Sequence, residues 1–279
     1  LTSVEQLAAC FHIDPEPLRE VAARYPLSIT PHYLSLLKAP GDPLWRQCVP
    51  DTAELADDDL PEDSLNESGF TQVPAVVHRY PDRALLLVSG RCAGYCRFCT
   101  RKSRVGTPAL NFSSTQVAEG IAYLRSARNV RDVILTGGDP LLLEDEVLGE
   151  IIQQLYAIPH IEIIRIGSRV PVTLPERITP ELCRLLSHFH PLYLNTHFNH
   201  PRELVASSAS ACARLADAGV QLGNQTVLLR GVNADAGVMS ALCRGLLKMR
   251  VRPYYLHHPD QARGTGHFRV PVESGLEII

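Results

Sequence analysis

From Arg83 onward, short aliphatic and β-branched runs alternate with longer stretches of helical periodicity, and this alternation leaves few folds open. Strands joined by helical crossovers pair in parallel, as a doubly wound sheet or a β/α barrel. The runs predict strands at 84–89, 132–136, 161–166, 192–195, 221–229 and 253–257, with helices at 115–128, 144–158, 180–189, 202–218 and 235–248. Six strands with crossovers suit either architecture; the expected fold class is α/β, an incomplete parallel (β/α)6-type barrel with an N-terminal helical appendage. Both architectures gather chemistry at the C-terminal ends of the strands. The polar and Gly-rich stretches fall there, at 92–101, 137–139, 167–169, 196–200, 230–233 and 257–260, so one shared site at that face is expected.

The first forty residues carry helical patterning, with Val4, Leu7, Ala8 and Phe11 on one stretch, then Pro15 opening another with Leu18, Val21 and Ala22. An acidic run, Asp57-Asp58-Asp59 and then Glu62-Asp63, follows and reads as an exposed linker without a site. The expected division is therefore residues 1–72, appendage and linker, and residues 73–279, the β/α domain.

With 279 residues, 45% hydrophobic content and a formal charge of −3, the chain has material for a sizeable core. It lacks the basic excess of a nucleic-acid binder. No apolar run is long enough for a membrane span and no signal-peptide pattern opens the sequence, so no nucleic acid and no membrane are expected as partners, and the cytoplasm is the expected location. Cys10, Cys48, Cys183, Cys212 and Cys243 sit among apolar neighbours and read as reduced, small hydrophobes.

The other three cysteines are different. Cys92, Cys96 and Cys99 form C-x3-C-x2-C within eight residues, a loop tight enough to wrap one metal centre. Two readings are open: a zinc site completed by a distant ligand, or a [4Fe–4S] cluster with one iron left without a protein ligand. An aromatic residue, Tyr95 or Phe98, stands just before each of the second and third cysteines. With that detail the triplet resembles the signature of radical S-adenosylmethionine (SAM) enzymes, and Gly137-Gly138-Asp139 resembles the Gly-rich strand end that holds SAM there.

Longer blocks narrow the resemblance. His78-Arg79-Tyr80-Pro81-Asp82-Arg83, Cys99-Thr100-Arg101, residues 195–201, residues 223–233, Pro253-Tyr254-Tyr255 and His267-Phe268-Arg269 are similar, in order, to blocks of the lysine 2,3-aminomutase family from about Asp42 onward. The resemblance implies three cofactors, a [4Fe–4S] cluster, SAM and pyridoxal 5′-phosphate (PLP). It implies movement of the α-amino group of L-lysine to the β-carbon through a 5′-deoxyadenosyl radical and a PLP imine. Alternatives are an aminomutase for arginine, glutamate or ornithine, or a non-catalytic metal-binding protein. By the same resemblance Cys92, Cys96 and Cys99 hold the cluster, and Gly137, Gly138, Asp139 and His197 line the SAM pocket. Arg79, Arg83, Gln225 and His257 belong to PLP, Arg101 to the substrate α-carboxylate, and Asp260 to a side-chain ammonium. Expected partners are a lysine-like small molecule, an electron donor such as flavodoxin or ferredoxin, and a second copy of the chain in a homo-oligomer.

Two departures accompany the match. Lys38, Lys102 and Lys248 sit outside the motif in which the family carries its PLP-anchoring lysine, so a C-terminal portion is expected to be missing from this sequence. His257-His258-Pro259 stands where free-lysine mutases carry a tyrosine, and is closer to the shorter relatives that isomerise lysine for elongation factor P.

Overall fold

The computed structural model describes residues 1–279. The sheet has eight strands in sequential order: β1 (Thr71–Val73), β2 (Val76–Tyr80), β3 (Arg83–Ser89), β4 (Asp132–Gly137), β5 (Ile163–Gly167), β6 (Leu192–Thr196), β7 (Gln221–Val227) and β8 (Arg252–His257). The six strands β3 to β8 are all parallel, as expected. β1 and β2 add an antiparallel extension that the sequence reading did not include. Strands β1 and β8 do not pair with each other, so the sheet is an unclosed barrel.

The helices are α1 (Val4–Phe11), α2 (Glu16–Arg24), α3 (Pro31–Leu36), α4 (Trp45–Cys48), α5 (Ser114–Ser126), α6 (Asp145–Tyr156), α7 (Val170–Thr173), α8 (Pro180–Leu186), α9 (Ala206–Asp217), α10 (Ala236–Lys248) and α11 (Val272–Ile278). None is long and apolar enough to cross a membrane.

Side chains of successive strand residues point to opposite faces. On β3, Ala84, Leu86 and Val88 are buried, and on β4 and β5 so are Val133, Leu135, Ile164 and Ile166. This face meets Ile121 and Leu124 of α5 and Leu148 and Ile152 of α6 in one continuous core. Val4, Leu7, Tyr33 and Trp45 join the same core, so the N-terminal helices pack onto the β/α body. The opposite face of the sheet carries Arg83, Asp132, Arg165, Tyr193 and Gln225 at the alternate positions, and polar groups there line the open interior.

The acidic linker departs from its expected exposure at two positions. Asp58, Asp59 and Glu62 are exposed, but Glu54 is fully buried and Glu67 is 4% exposed. Asp51 caps the short helical turn at Thr52–Leu55 through a reciprocal capping box with Glu54. The Glu54 carboxylate then reaches the cysteine loop. It accepts a bidentate pair from Arg97 (Nε 2.9 Å, Nη2 2.6 Å) and a bond from Lys102 Nζ (2.5 Å). Burial and the nearby Arg97 charge push the Lys102 ammonium down to about 8, so its charge opposes folding while the Arg97–Glu54 pair is balanced.

Removing one member of a buried ion pair strands the remaining charge, at about 3–5 kcal/mol. Glu54→Gln, which leaves two buried cations, is expected to lower unfolding free energy by about that amount in urea titrations. Lys102→Met is expected to cost clearly less. Because the Lys102 pKa falls from 10.5 to about 8 on folding, the unfolded chain holds that proton more tightly. Stability should rise by this group's contribution from about pH 8 to 10.5, and Lys102→Met should lack that rise.

Candidate active site

The C-terminal end of β3 runs directly into the cysteine loop. Three anchors from the N-terminal region hold it: Ser28 O accepts from Tyr95 N (2.9 Å), Gln47 O accepts from Arg97 N (2.9 Å), and Ser28 Oγ donates to Ala93 O (3.2 Å). Cys92, Cys96 and Cys99 are each half-buried and unpaired. Burial raises the Cys99 thiol to about 11, with Cys96 adding to the effect, and holds Cys92 well above the usual thiol range. Such thiols ionise readily only against a metal charge. The donor set fits a four-iron cluster with one open iron.

Beside this loop, the turn after β4 lies flat on the end of β3. Gly138 N donates to Ser89 O (2.5 Å) and Asp139 N to Arg91 O (2.7 Å). Gly137 has φ +126°, and a Cβ at Gly137 or Gly138 would run into the carbonyl oxygen of Ser89 or Arg91, so both positions require glycine. Asp139 is buried, and its carboxylate accepts from Leu141 N (3.1 Å) and Arg169 N (2.8 Å). That places Asp139 as the brace of the turn, fixing the backbone that the sequence reading assigned to SAM.

His197 follows β6, and burial together with the Arg169 and His257 charges pushes its imidazole down to about 3; it is neutral at physiological pH. Arg169 links this strand end to the loop, with Nε donating to His197 O (3.1 Å) and Nη1 to Cys96 Sγ (3.0 Å). Gln225 lies on the interior face of β7 beside Tyr255 of β8, and Val227 pairs with His257. His257 and Asp260 are exposed at the end of β8, close enough for the Asp260 carboxylate to act on the imidazole.

Arg101, two residues beyond Cys99, is held by a partner that sequence reading missed. Its Nε donates to both carboxylate oxygens of Glu67 (3.0 and 2.9 Å), its Nη2 also reaches Glu67, and Nη1 donates to Gly137 O (3.2 Å) and Thr136 Oγ1 (3.4 Å). Glu67 also receives Arg104 Nη1 at 3.4 Å. Glu67 therefore grips the Nε–Nη2 edge of the guanidinium while Gly137 O and Thr136 Oγ1 take Nη1, which leaves one Nη2 hydrogen for a ligand carboxylate.

Arg79 and Arg83 stand elsewhere. Arg83 opens β3, about 20 Å of strand away from Ser89. Its Nε donates to Asp132 Oδ2 (2.9 Å), and Arg165 holds the same buried carboxylate through Nε (3.0 Å) and Nη2 (2.8 Å). Arg79 is exposed, donates to Leu65 O (3.2 Å) and lies over the Phe70 ring at 5.4 Å. Two guanidiniums sharing one carboxylate leave excess positive charge at this end of the interior face, which fits an anionic group. The structure thus gathers the cysteines, Gly137, Gly138, Asp139, Arg101 and His197 at one end and separates Arg79 and Arg83 from them.

Residues 86–238 match the family model of the radical SAM superfamily. The chain belongs to that superfamily. L-lysine 2,3-aminomutase of Clostridium subterminale is 52% identical over 257 residues, covering 91% of this chain and 62% of that protein. L-lysine 2,3-aminomutase of Fusobacterium nucleatum is 48% identical over 286 residues, covering 100% of this chain and 67% of that protein. A glutamate 2,3-aminomutase of Clostridioides difficile is 41% identical over 284 residues, 100% of this chain and 67% of that protein. These matches place the chain in the lysine 2,3-aminomutase family, and it spans between 62% and 67% of the length of these curated relatives. Among solved structures, Streptococcus suis SuiB bound to S-adenosylmethionine shares the fold, with TM-score 0.51 and 10% identity over 70% of this chain and 48% of that one.

Overpacking a tight backbone contact costs about 1–3 kcal/mol. Gly138→Ala is expected to lose at least that much stability in chemical unfolding, and to weaken SAM binding in equilibrium dialysis of the iron-reconstituted chain.

Proposed function

We propose that this chain carries the radical chemistry of an L-lysine 2,3-aminomutase, moving the α-amino group of L-lysine to the β-carbon. The observation that carries the reading is the meeting, at one end of the barrel, of the cysteine loop, the Gly137-Gly138 turn and an Arg101 guanidinium oriented by Glu67. When bound, the cluster and SAM supply a hydrogen-abstracting radical, and PLP supplies the electron delocalisation that lets the nitrogen migrate.

In this reading Cys92, Cys96 and Cys99 hold the cluster, and Gly137, Gly138, Asp139 and His197 form the SAM pocket, with Asp139 acting through the turn it braces. Arg101 offers the substrate α-carboxylate its charge and its one uncommitted Nη2 N–H, which fixes the substrate beside the cluster loop and turns an encounter into a positioned reaction. Permanently charged guanidiniums at Arg79 and Arg83 suit the PLP phosphate; Gln225 lines the interior between the two ends, and His257, at the C-terminal end of β8, completes the set assigned to PLP. Because these ends lie along one strand, the cofactor and substrate together must run lengthwise over the interior face. Asp260 offers its carboxylate to the lysine ammonium and is the residue that separates lysine from glutamate as substrate. A low-potential one-electron donor such as a flavodoxin or ferredoxin, and assembly into a homo-oligomer, belong to the same proposal.

The test is anaerobic reconstitution with iron and sulfide, reduction, and incubation with SAM, PLP and L-lysine, scoring 5′-deoxyadenosine and β-lysine by mass spectrometry. Both products are expected; 5′-deoxyadenosine alone would leave radical chemistry with a different substrate, and neither would overturn the reading. Asp260→Ala is expected to raise KM for lysine about tenfold or more, equivalent to ~1.4 kcal/mol, while uncoupled SAM cleavage persists. Unchanged lysine use in that variant would remove the substrate assignment.

A further inference from the structure

We propose that Arg169 is a positioning residue for the cluster, whose guanidinium donates to the Cys96 sulfur and sets how readily the bound cluster accepts an electron. The inference rests on the reading of Cys96 as a cluster ligand. It concerns a residue that the sequence motifs left without a role.

Arg169 cannot swing away from Cys96. Its backbone N is fixed on Asp139 Oδ2 (2.8 Å), and its preceding residue, Ser168, donates through N to Asn195 O (3.0 Å). The guanidinium, 10% exposed, has a partner at every nitrogen: Nε on His197 O (3.1 Å), Nη1 on Cys96 Sγ (3.0 Å), and Nη2 on Gln47 Oε1 (2.6 Å), Glu203 Oε1 (2.8 Å) and Tyr33 OH (3.4 Å). Tyr33 and Phe98 rings lie 5.4 and 5.2 Å from its central carbon. Among the three loop cysteines, Cys96 alone receives a bond from a charged donor. Cys99 Sγ accepts only the Arg101 backbone N at 3.4 Å.

The counter-ion is arranged so that its charge is spread away from the sulfur. Glu203 is fully buried and also accepts from Tyr33 OH (2.7 Å), Asn199 N (2.6 Å) and His200 N (3.0 Å). One-electron reduction adds a negative charge to the cluster and its thiolates, with no bond made or broken. A fixed N–H and positive charge on one ligand sulfur stabilise the reduced form more than the oxidised form, and hydrogen bonds to the sulfurs are among the factors that set such potentials. In a buried site the effect is weakly screened by salt. Arg169 therefore makes the cluster easier to reduce.

The experiment is an EPR-monitored redox titration of the anaerobically reconstituted full chain, with dithionite as reductant and with iron and acid-labile sulfide counted in the same samples. Arg169→Gln is expected to shift the cluster midpoint potential to more negative values, and Arg169→Lys to restore part of the shift. Glu203→Gln, which removes the negative charge behind the guanidinium but keeps the donor on Cys96, is expected to shift it to more positive values. Opposite shifts at equal iron and sulfide content separate a charge effect from damage to the loop. An unchanged potential in fully loaded Arg169→Gln, or shifts of the same sign in both variants, overturns the proposal. Where Arg169→Gln retains no iron, the absence of a positive shift in Glu203→Gln overturns it. A parent protein that binds no four-iron cluster overturns the ligand reading of the cysteines as well, and is distinguished by its iron count.

Discussion

One buried carboxylate ties the cysteine loop to the body of the chain, beside the backbone anchors at Ser28 and Gln47. A loop carrying three thiols has little apolar surface of its own, and before any metal is bound nothing in the triplet itself favours one arrangement. Glu54 supplies the constraint by accepting from Arg97 and Lys102 on either side of Cys99. Lys102 extends the tie to Gly264 O (2.8 Å), and Arg97 Nη1 to Pro26 O (2.9 Å). Three stretches distant in sequence are thereby fixed to one point. A buried ion pair of this kind adds little net stability over an apolar replacement; its consequence here is the position of the loop, on which the site around it depends.

The second constraint is the length of β3. The loop and the Gly-rich turn lie at its C-terminal end, while Arg83, with Asp132 and Arg165, lies at its start. Arg165 is itself oriented by Tyr254 OH at 3.3 Å, so the positive end is braced across from β5 to β8. An interior face with cysteine-bound chemistry at one end and an anion-seeking floor at the other suits ligands that together span the strand. Neither end alone would distinguish such a site from a simple nucleotide or metal pocket.

The parallel strands were legible because β-branched runs bounded by polar turns are local signals. The strand predicted at 161–166 begins at Ile163, since Ile161 and Glu162 complete the turn after α6. Helix α9 begins at Ala206 instead of 202, because the Pro201–Glu203 turn, capped by His200, is wound as a separate 3-10 segment. β1 has three residues with little burial, too short for periodicity to register. Glu54 and Glu67 escaped for a different reason. Their partners lie 43 and 34 residues away, and no local window separates a buried acid from a solvated one in an acidic stretch. The capping-box spacing of Asp51 and Glu54 was the one visible hint that this stretch is ordered.

The same arrangement recurs around the loop. Arg97, Arg101 and Arg169 each have a buried glutamate partner, Glu54, Glu67 and Glu203, drawn from outside the loop. Each pairing occupies part of a guanidinium and leaves another edge directed elsewhere: Arg97 to the N-terminal backbone, Arg101 to Gly137 O, Arg169 to Cys96 Sγ. Unpaired, three arginines packed around thiols would repel one another and favour an open loop. Fully neutralised, they would have no field to offer. With Lys102 and Arg104 added, five cations face these three carboxylates and the buried Asp139, so a residual positive charge surrounds the thiols and is already oriented before an anionic centre forms among them. Dipoles and charges held in place beforehand need no reorganisation when charge develops, and here the glutamates do that holding.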